Sequence, residues 1–394
     1  MPEAFLVGGV RTPVGRYGGS LSGVRPDDLA ALVLGESVRQ AGIEAAEIDE
    51  VILGNTNQSG EDNRNVARMA SLLAGFPDSV PGMTVNRLCA SGLSAIIMAS
   101  QMIKSGAADI VVAGGVESMS RAPWVLAKPE KAFGRPGEIA DTSIGSRFVN
   151  PKFHERPKST FSMPETAEEL ARVDGISRED ADAFALRSHQ RALAAVDEGR
   201  FVAEIVPVET KRGVIKADEG PRRETTLAAL AGLRPVVRPG GVVTAGNASS
   251  LNDGASAVVV ASSRAVKRLN LQARARIVDG ASAGVPPEIM GIGPVPATLK
   301  VLGRTGWSLG DVGAIELNEA FAVQALACIR RLGLNEEIVN RDGGAIALGH
   351  PLGSSGARIA ITLLGRMERE GADRGLATMC VGLGQGTAML LERL

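Results

Sequence analysis

The chain has 394 residues, enough for two or three domains or for one large one. Its 43 Lys and Arg balance 44 Asp and Glu, a formal net charge of -1, which argues against a basic nucleic-acid-binding surface and an acidic, solvating tail. Hydrophobic residues make up 44% of the chain, but aromatic residues only 3%, beside 48 Gly. We therefore expect a tightly packed interior built from Ala, Val, Ile and Leu.

No segment of the sequence favours membrane insertion. The longest uncharged stretches, Leu88–Ile103 and Gly375–Leu391, are shorter than the about 20 apolar residues that a spanning helix needs. The first residues show no basic-then-apolar leader. The three widely spaced cysteines, Cys89, Cys328 and Cys380, fit neither a disulfide framework nor a CxxC metal site. We expect a cytoplasmic protein with no metal, in which an interesting cysteine is reactive rather than structural.

An internal repeat runs through the sequence, because three patterns of the first third recur in the same order near the C-terminus. The pairs are 48–53 with 312–317, 91–92 with 355–357, and 106–112 with 371–377. Helical segments alternate there with short apolar runs, which is typical of a sheet buried on both faces. The repeat predicts two homologous α/β halves.

The first half is interrupted by a segment of different composition, rich in Pro, Lys, Arg and Glu. We predict that residues 1–120 and 244–270 form the N-terminal half and residues 271–394 the C-terminal half. Residues 121–243 are then an inserted loop domain.

Within the insertion, Ser177–Asp180 has the pattern of a capping box that opens a helix running to Ala195. His154 and His189, two of the three histidines, also lie there. We expect both to be residues of the surface or of this inserted cap.

Cys89 follows a predicted strand, Met83–Val85, and directly precedes a predicted helix that runs to about Lys104. A thiol at a helix N-terminus meets the positive end of the macrodipole, which lowers its pKa and favours the nucleophilic thiolate. The alternative is a small buried residue, the usual fate of a free cysteine.

His350 lies in the glycine-rich run Gly343–Gly356, which requires an unusual loop with exposed backbone donors. A histidine there can take a proton from a thiol or donate to a developing oxyanion. The alternative is a histidine whose hydrogen bonds are satisfied in a tight turn. Because the repeat places this loop opposite that of Cys89, we expect the two to meet near the pseudo-twofold axis.

Two further motifs follow predicted strands. Cys380 enters a loop of alternating glycines, Gly382–Gly386, whose free N–H groups favour an anion although the P-loop lysine is missing. Asn318 stands between the strand 314–317 and a helix predicted from Ala320, and is either functional or simply the N-cap of that helix. Cys328, inside that helix among apolar neighbours, is predicted to be core.

Together, Cys89, the run Asn318-Glu319-Ala320-Phe321, the run Gly349-His350-Pro351 and Cys380 resemble the thiolases, the acetyl-CoA C-acyltransferases, and the resemblance covers the whole chain. It implies two five-stranded α/β halves in a layered α-β-α-β-α arrangement with an inserted loop domain. It also implies a homodimer or homotetramer that uses CoA and acyl-CoA as substrates, with no tightly bound cofactor.

The resemblance also implies a role for each motif. Cys89 would be the acylated nucleophile, His350 its base, and Cys380 the acid/base at the α-carbon of acetyl-CoA. Asn318 would hold a water of one oxyanion hole, and the N–H groups of Cys89 and Gly382 would form the other. These groups suit CoA-dependent cleavage of a 3-oxoacyl-CoA, which expels an enolate and leaves a thioester on the enzyme.

The positions implied for CoA binding match the family less closely. Arg222 matches a residue that packs on the adenine, while Ser249 and Met163 match residues along the pantetheine, and Ala320 and Phe321 complete the expected substrate contacts. The sequence departs from the family pattern at three positions. These are Ala229, where a serine is frequent, Ser162, where a histidine is frequent, and Leu383, where a glycine is common.

The departures and the runs 61–68, 117–121 and 162–166 look most like the 3-oxoadipyl-CoA thiolases of aromatic catabolism. A straight-chain substrate such as acetoacetyl-CoA stays equally open. A terminal carboxylate would need a cation, and Arg64 and Arg121 are both candidates. More remote alternatives are a ketoacyl synthase, which would lack Cys380, and a non-catalytic acyl-CoA-binding or lipid-binding relative.

Overall fold

The structure is a computed structural model that describes residues 2–156 and 158–394. Its strands are β1 (Ala4–Arg11), β2 (Gly15–Arg16), β3 (Glu50–Gly54), β4 (Gly82–Val85), β5 (Ile110–Ser118), β6 (Trp124–Leu126), β7 (Ile139–Asp141), β8 (Val208–Thr210), β9 (Gly213–Ile215), β10 (Asn252–Ser262), β11 (Ala275–Gly284), β12 (Ala314–Leu317), β13 (Arg374–Val381) and β14 (Gln385–Arg393). Its α-helices are α1 (Pro26–Ala41), α2 (Val66–Leu73), α3 (Ser91–Lys104), α4 (Met163–Asp174), α5 (Arg178–Asp197), α6 (Leu227–Ala231), α7 (Ser263–Leu269), α8 (Pro294–Thr305), α9 (Ala322–Leu332), α10 (Ala345–Leu348) and α11 (Leu352–Glu370). None of these helices is long and apolar enough to cross a membrane.

Two sets of strands repeat one topology. The first has the order β4-β3-β5-β10-β1, with β4, β3 and β5 parallel and the last two antiparallel. The second has the order β12-β13-β14-β11, again with one parallel pair followed by antiparallel pairs. In the place of β4 it has a single parallel bridge between Ile315 and Val339. The predicted repeat is confirmed, with the fifth strand of the second half present only as this bridge.

The two sets meet where β1 lies beside β11, through the pairs Phe5 with Arg276 and Leu6 with Ala275. Three clusters of buried side chains lie between the two sets of strands and the helices that cover them. α1 and α2 pack on the outer face of the first set and α8 and α9 on that of the second, while α3 and α11 lie between them. β5 and β10 are buried along their whole length because helices cover both faces. The expected α-β-α-β-α layering is confirmed.

The chain between β5 and β10 carries two small hairpins, β6 with β7 and β8 with β9, together with α4, α5 and α6. α4 and α5 bury apolar side chains in the same cluster as α9. This contact places the start of α4 beside the loop that follows β13, where Met163 is the first helical residue.

The capping box predicted at Ser177 is only half formed. Ser177 Oγ accepts from the Asp180 N–H at 3.0 Å, but the Asp180 carboxylate binds Arg330 at 2.7 Å. A complete capping box stands instead at the start of α4, between Ser162 and Glu165. The local pattern was ambiguous because a nearby guanidinium competes for the carboxylate more strongly than a backbone N–H.

Candidate active site

Cys89 lies in the tight turn that joins β4 to α3. The Ala90 N–H donates to the Arg87 carbonyl at 3.1 Å, and the Ser91 N–H donates to the Leu88 carbonyl at 3.0 Å. The turn places Leu88 at a φ of 45°, a strained value for a branched side chain. Cys89 itself is half-buried and faces the interior just ahead of the helix, as predicted.

The protonation of Cys89 differs from the expectation based on the helix dipole. Burial raises the pKa of this thiol to about 11, and the negative charge of Glu117 acts in the same direction. The N–H groups of Gly382 and of Cys89 itself bond to the sulfur and lower the pKa in part. The prediction of a lowered pKa is therefore wrong, because desolvation of the thiolate outweighs these donors. The resting side chain is a neutral thiol that needs a base.

His350 is buried, and its hydrogen bonds define which nitrogen can act as that base. Ser355 Oγ donates to the Pro351 carbonyl at 2.9 Å, so it accepts from Nδ1–H of His350 at 2.6 Å. Nε2 is then left without a proton. Burial, together with the Arg358 cation, lowers the pKa of His350 to about 3. The imidazole is therefore neutral, with its basic lone pair on Nε2.

Asn318 reaches the same nitrogen. Its Nδ2 lies 3.5 Å from Nε2 of His350, whereas its Oδ1 is buried and has no partner among the described residues. α9 begins at Ala322 with Phe321 as its N-cap, so Asn318 does not cap it and the predicted start at Ala320 is too early. The unpaired amide oxygen favours the functional interpretation over the capping one, because a buried acceptor normally has a partner.

Glu319, which the sequence analysis gave no role, supports the histidine loop from below. Its buried carboxylate accepts from Ser188 Oγ at 2.6 Å, from Asn340 Nδ2 at 2.8 Å and from the Ile346 N–H at 3.2 Å. A Cβ on Gly344 would lie 2.1 Å from its Cδ, so this loop position requires glycine. The available sequence signal was an acidic residue directly after Asn318, just beyond the end of β12.

Cys380 lies at the end of β13 and is buried. Burial raises the pKa of its thiol well above the usual value, and the neighbouring charge of Cys89 raises it further. The following loop reverses through Leu383 at a φ of 61° and Gly384 at 77°. Leu383, the predicted departure, adopts the left-handed backbone conformation that favours glycine, and its side chain is exposed. The loop thereby turns the Gly382 N–H onto the Cys89 sulfur.

Close backbone contact between α3 and α11 brings the two halves of this site together. A Cβ on Gly92 would lie 2.6 Å from the Gly353 carbonyl oxygen, and one on Gly356 would lie 2.2 Å from the Leu93 nitrogen. The helices therefore pack glycine against backbone at their N-termini, directly after Cys89 and His350. Cys328, by contrast, lies buried in α9 with its sulfur on the Gly291 carbonyl, and is core as predicted.

A cavity of about 530 Å³ extends from the inserted segment toward the histidine loop. Its lining includes Arg222 and Ala229 of the inserted segment and Ile346 and Ala347 of the glycine-rich run that precedes His350. The volume lies within the range of small-ligand sites. The cavity thus connects the predicted adenine-binding end with the loop that carries His350.

The remaining candidates for CoA binding lie along or beside this cavity. Ser249 stands between two lining residues, and its N–H donates to the Ala320 carbonyl at 2.9 Å. Phe321 forms a bridge with Ala248. The Met163 sulfur would be 3.7 Å from a Cβ on Gly382.

The two histidines of the insertion have different surroundings. His154 is exposed on the surface, whereas His189 is buried in α5 of the inserted segment, so each lies in one of the two expected places. Nδ1 of His189 accepts from the Arg222 N–H at 3.3 Å, and burial lowers its pKa to about 4. Its position on the buried side of α5 was readable only from the helical period.

The candidate arginines for binding a terminal carboxylate differ in their exposure and in the partners that they already have. Arg121 is already bound to both oxygens of Glu61, at 2.5 and 2.6 Å. Arg64 is exposed, and no side-chain hydrogen bond holds it within the described residues. Arg147, which the sequence analysis missed, is half-buried and makes only two long contacts of 3.4 Å, to Asn57 and Ser59.

Comparison with known proteins identifies the family. The thiolase N-terminal domain matches residues 4–264, and the thiolase C-terminal domain matches residues 271–393. The chain is 56% identical to a beta-ketoadipyl-CoA thiolase of Escherichia coli over all of both chains, and 57% identical to one of Pseudomonas aeruginosa over 99% of each.

Solved structures agree with this result. Human mitochondrial 3-ketoacyl-CoA thiolase in complex with CoA has a TM-score of 0.94 at 40% identity, covering 100% of this chain and 98% of that one. The acetyl-CoA acetyltransferase of Bacillus anthracis has a TM-score of 0.93 at 44% identity, covering 100% and 99%. These matches support neither a ketoacyl synthase nor a non-catalytic relative. The chain belongs to the thiolase family and is a CoA-using acyltransferase.

Proposed function

We propose that Cys89 accepts the acyl group, that His350 is its base, and that Cys380 is the acid at the α-carbon. The observation that carries this proposal is the convergence of two neutral thiols, one half-buried and one buried, with the Gly382 N–H at the crossing of α3 and α11, the helix that begins directly after His350 and Pro351. A neutral thiol next to a neutral imidazole can transfer its proton during attack. A second neutral thiol can donate a proton to carbon.

In the cleavage direction, the proton of Cys89 passes to Nε2 of His350 while the sulfur attacks the 3-oxo carbon. The bond between C2 and C3 breaks, and its electron pair becomes the enolate of acetyl-CoA, which takes the Cys380 proton at C2. The shortened acyl group remains as a thioester on Cys89. CoA then attacks this thioester and its thiol proton passes to the Cys380 thiolate. Cys89 leaves as a thiolate and takes back its proton from His350, so that the shortened acyl-CoA departs from the starting enzyme.

Two oxyanion positions support these steps. The N–H groups of Cys89 and Gly382 suit the oxygen of the acyl group, since both bond to the sulfur that carries it. The unpartnered Oδ1 of Asn318 suits a water that donates one hydrogen to it and the other to the enolate oxygen, beside Nε2 of His350, which donates once it carries the proton of Cys89.

Variants of the three cysteines test these assignments. We expect Cys89→Ala to form no acyl-enzyme and to have no turnover. Cys380→Ser should still acquire the acyl mass on incubation with acyl-CoA, measured by intact mass spectrometry, but should lose at least about a hundredfold in cleavage of acetoacetyl-CoA. The matched control Cys328→Ala should keep its turnover. Wild-type cleavage by Cys380→Ser would contradict its role as the acid.

We also propose that the cavity holds CoA, with the adenine at Arg222 and the pantetheine along Ser249 and Met163, so that the thioester reaches Ala320 and Phe321. Under this proposal residues 121–243 form the CoA-binding insertion, between 1–120 and 244–270 of one half and before 271–394. The support is that the cavity reaches from Arg222 to the histidine loop. CoA enters as a substrate, and no tightly bound cofactor takes part.

We propose 3-oxoadipyl-CoA as the substrate, with acetoacetyl-CoA and other straight-chain 3-oxoacyl-CoA as the alternative. Relatives of 52 to 57% identity are named beta-ketoadipyl-CoA thiolase or, in one case, 3-oxoadipyl-CoA/3-oxo-5,6-dehydrosuberyl-CoA thiolase, whereas an acetyl-CoA acetyltransferase of Pseudomonas aeruginosa matches at 46%. A cation without a carboxylate partner, Arg147, also suits a dicarboxylic substrate. We expect kcat/KM for 3-oxoadipyl-CoA to exceed that for acetoacetyl-CoA by at least about tenfold, and equal values would sink this assignment.

We further propose a homodimer or homotetramer in the cytoplasm. β4 is an edge strand whose residues Met83 and Val85 are only half-buried, and the β6–β7 hairpin exposes Trp124 and Leu126. Apolar edges of this kind are typical of subunit contacts. All three cysteines are free thiols, which fits a reducing compartment. Light scattering measures the mass in solution directly.

A further inference from the structure

We propose that Glu117 is a positioning residue of this site, which fixes the start of α11, and with it His350, against the loop that supports the turn of Cys89. Glu117 lies near the end of β5 and is buried, at 2% exposure. No role in the proposed chemistry falls to it. The inference rests on the proposed function, since it assumes that Cys89 is the nucleophile.

The contacts of Glu117 join three separate segments. Its Oε2 accepts from the Thr56 N–H at 3.1 Å and from the Gly353 N–H at 2.9 Å, and its Oε1 accepts from the Asn57 N–H at 3.2 Å. Gly353 belongs to the first turn of α11, directly after His350 and Pro351. A carboxylate at the N-terminus of a helix satisfies unpaired N–H groups and favours the helix dipole. Glu117 therefore ties the histidine's helix to the β3 loop.

The backbone around this contact leaves little freedom. A Cβ on Gly353 would lie 2.4 Å from the Val116 carbonyl and 2.7 Å from that of Gly54, so the first turn of α11 rests on the ends of β5 and β3. The loop after β3 is also bound from the other side, since Asn86 Nδ2 donates to the Thr56 carbonyl at 3.1 Å. Asn86 opens the turn that carries Cys89. The Glu117 carboxylate thus joins the loop that contacts the turn of Cys89 to the first turn of the helix that follows His350.

The negative charge of Glu117 also affects how easily the Cys89 thiol ionises. No Lys or Arg forms an ion pair with it among the described residues, and burial raises its pKa to about 7, with Asp62 adding in the same direction. Its negative charge opposes a thiolate at Cys89. The other groups near that thiol are Cys380 and the proposed base His350, which are both neutral, and the N–H groups of Gly382 and Cys89, which favour the thiolate. Removing the carboxylate charge must therefore make Cys89 easier to ionise.

The test is Glu117→Gln, assayed for turnover and for the rate at which iodoacetamide alkylates Cys89 between pH 7 and 10. The amide cannot accept all three backbone N–H groups, so we expect kcat to fall by about tenfold or more while KM for CoA stays the same. Alkylation should become faster than in the wild type at each pH, because the pKa of Cys89 falls. A looser and more exposed site would also speed alkylation, so Glu117→Asp, which keeps the charge, separates the two causes. Unchanged or slower alkylation, or wild-type kcat, in Glu117→Gln would overturn the proposal.

Two further variants keep the result interpretable. Glu168→Gln is the matched control, since Glu168 also binds two backbone N–H groups, those of Val242 and Val243, but within the insertion. It should leave the alkylation of Cys89 unchanged. If Glu117→Gln does not fold, Glu117→Asp keeps the charge on a shorter arm, so turnover should fall while alkylation stays near wild type. Wild-type turnover by Glu117→Asp would also overturn the proposal. Residual turnover by Cys89→Ala would instead contradict the proposed function.

Discussion

At the scale of single residues, the chemistry depends on neighbours that no motif contains. His350 can act as a base because one hydroxyl, that of Ser355, accepts the proton on Nδ1 and leaves Nε2 free. Cys89 and Cys380 stay neutral because both are desolvated, despite the nearby helix N-terminus and glycine loop. The sequence identifies the reacting groups, but their protonation depends on what surrounds them.

Ser355→Ala tests this control of the tautomer. Without its acceptor, Nδ1–H of His350 is left buried and unpaired, so the imidazole can place its proton on Nε2 and cease to be a base. We expect kcat to fall by about ten- to a hundredfold in steady-state thiolysis, with little change in KM for CoA. The control is Ser354→Ala, the adjacent buried serine, whose hydroxyl contacts Ser256 instead. Equal losses in both variants would show that packing, rather than the tautomer, matters.

At the scale of elements, the glycines have a definite task. Gly92 and Gly356 let α3 and α11 approach backbone to backbone, so the loops before these helices converge. The glycine-rich composition seen at the start therefore reflects helix contact as well as the loops around the cysteines and His350.

Gly356→Ala should disturb this crossing, because its Cβ would lie 2.2 Å from the Leu93 nitrogen. We expect a loss of about 1–3 kcal/mol in the free energy of unfolding, measured by urea denaturation, together with reduced turnover. Gly365→Ala in the same helix is the control, since its Cβ would meet only the end of Arg369, at 3.4 Å. That change should be neutral or stabilising by up to about 1 kcal/mol. Equal stability of the two variants would contradict the proposed close contact.

At the scale of the whole molecule, the insertion is what can adapt the repeated core to one substrate. Its segment Thr142–Arg147 lies on the β3 loop, where Asn57 Nδ2 donates to the Thr142 carbonyl at 3.2 Å and Arg147 contacts the Asn57 carbonyl. This same loop is held by Glu117 and by Asn86 beside the nucleophile. The Arg147 guanidinium, which has no carboxylate partner among the described residues, thus contacts the same loop as Asn86, which opens the turn of Cys89.

Arg147→Met should therefore weaken only the dicarboxylic substrate. We expect KM for 3-oxoadipyl-CoA to rise by about tenfold or more, with acetoacetyl-CoA unaffected, because one charged hydrogen bond is lost. Arg64→Met, at an exposed cation beside the β4 edge, is the comparison. A selective loss in Arg64→Met instead would assign the carboxylate to that residue, and equal loss on both substrates would contradict a specific contact.

The sequence by itself determined the two α/β halves, the strand and helix that flank Cys89, and the candidates for the reacting residues. These depend on local periodicity, on the positions of the glycines and on motifs whose chemistry can be predicted from the order of the residues alone. Tertiary structure decided the rest: the raised pKa of Cys89, the tautomer of His350, the burial of His189, and the parts played by Glu117 and Glu319. Each of these arises where residues distant in sequence exclude water from a charge or donate to it, and desolvation energy depends on the folded surroundings rather than on neighbours along the chain.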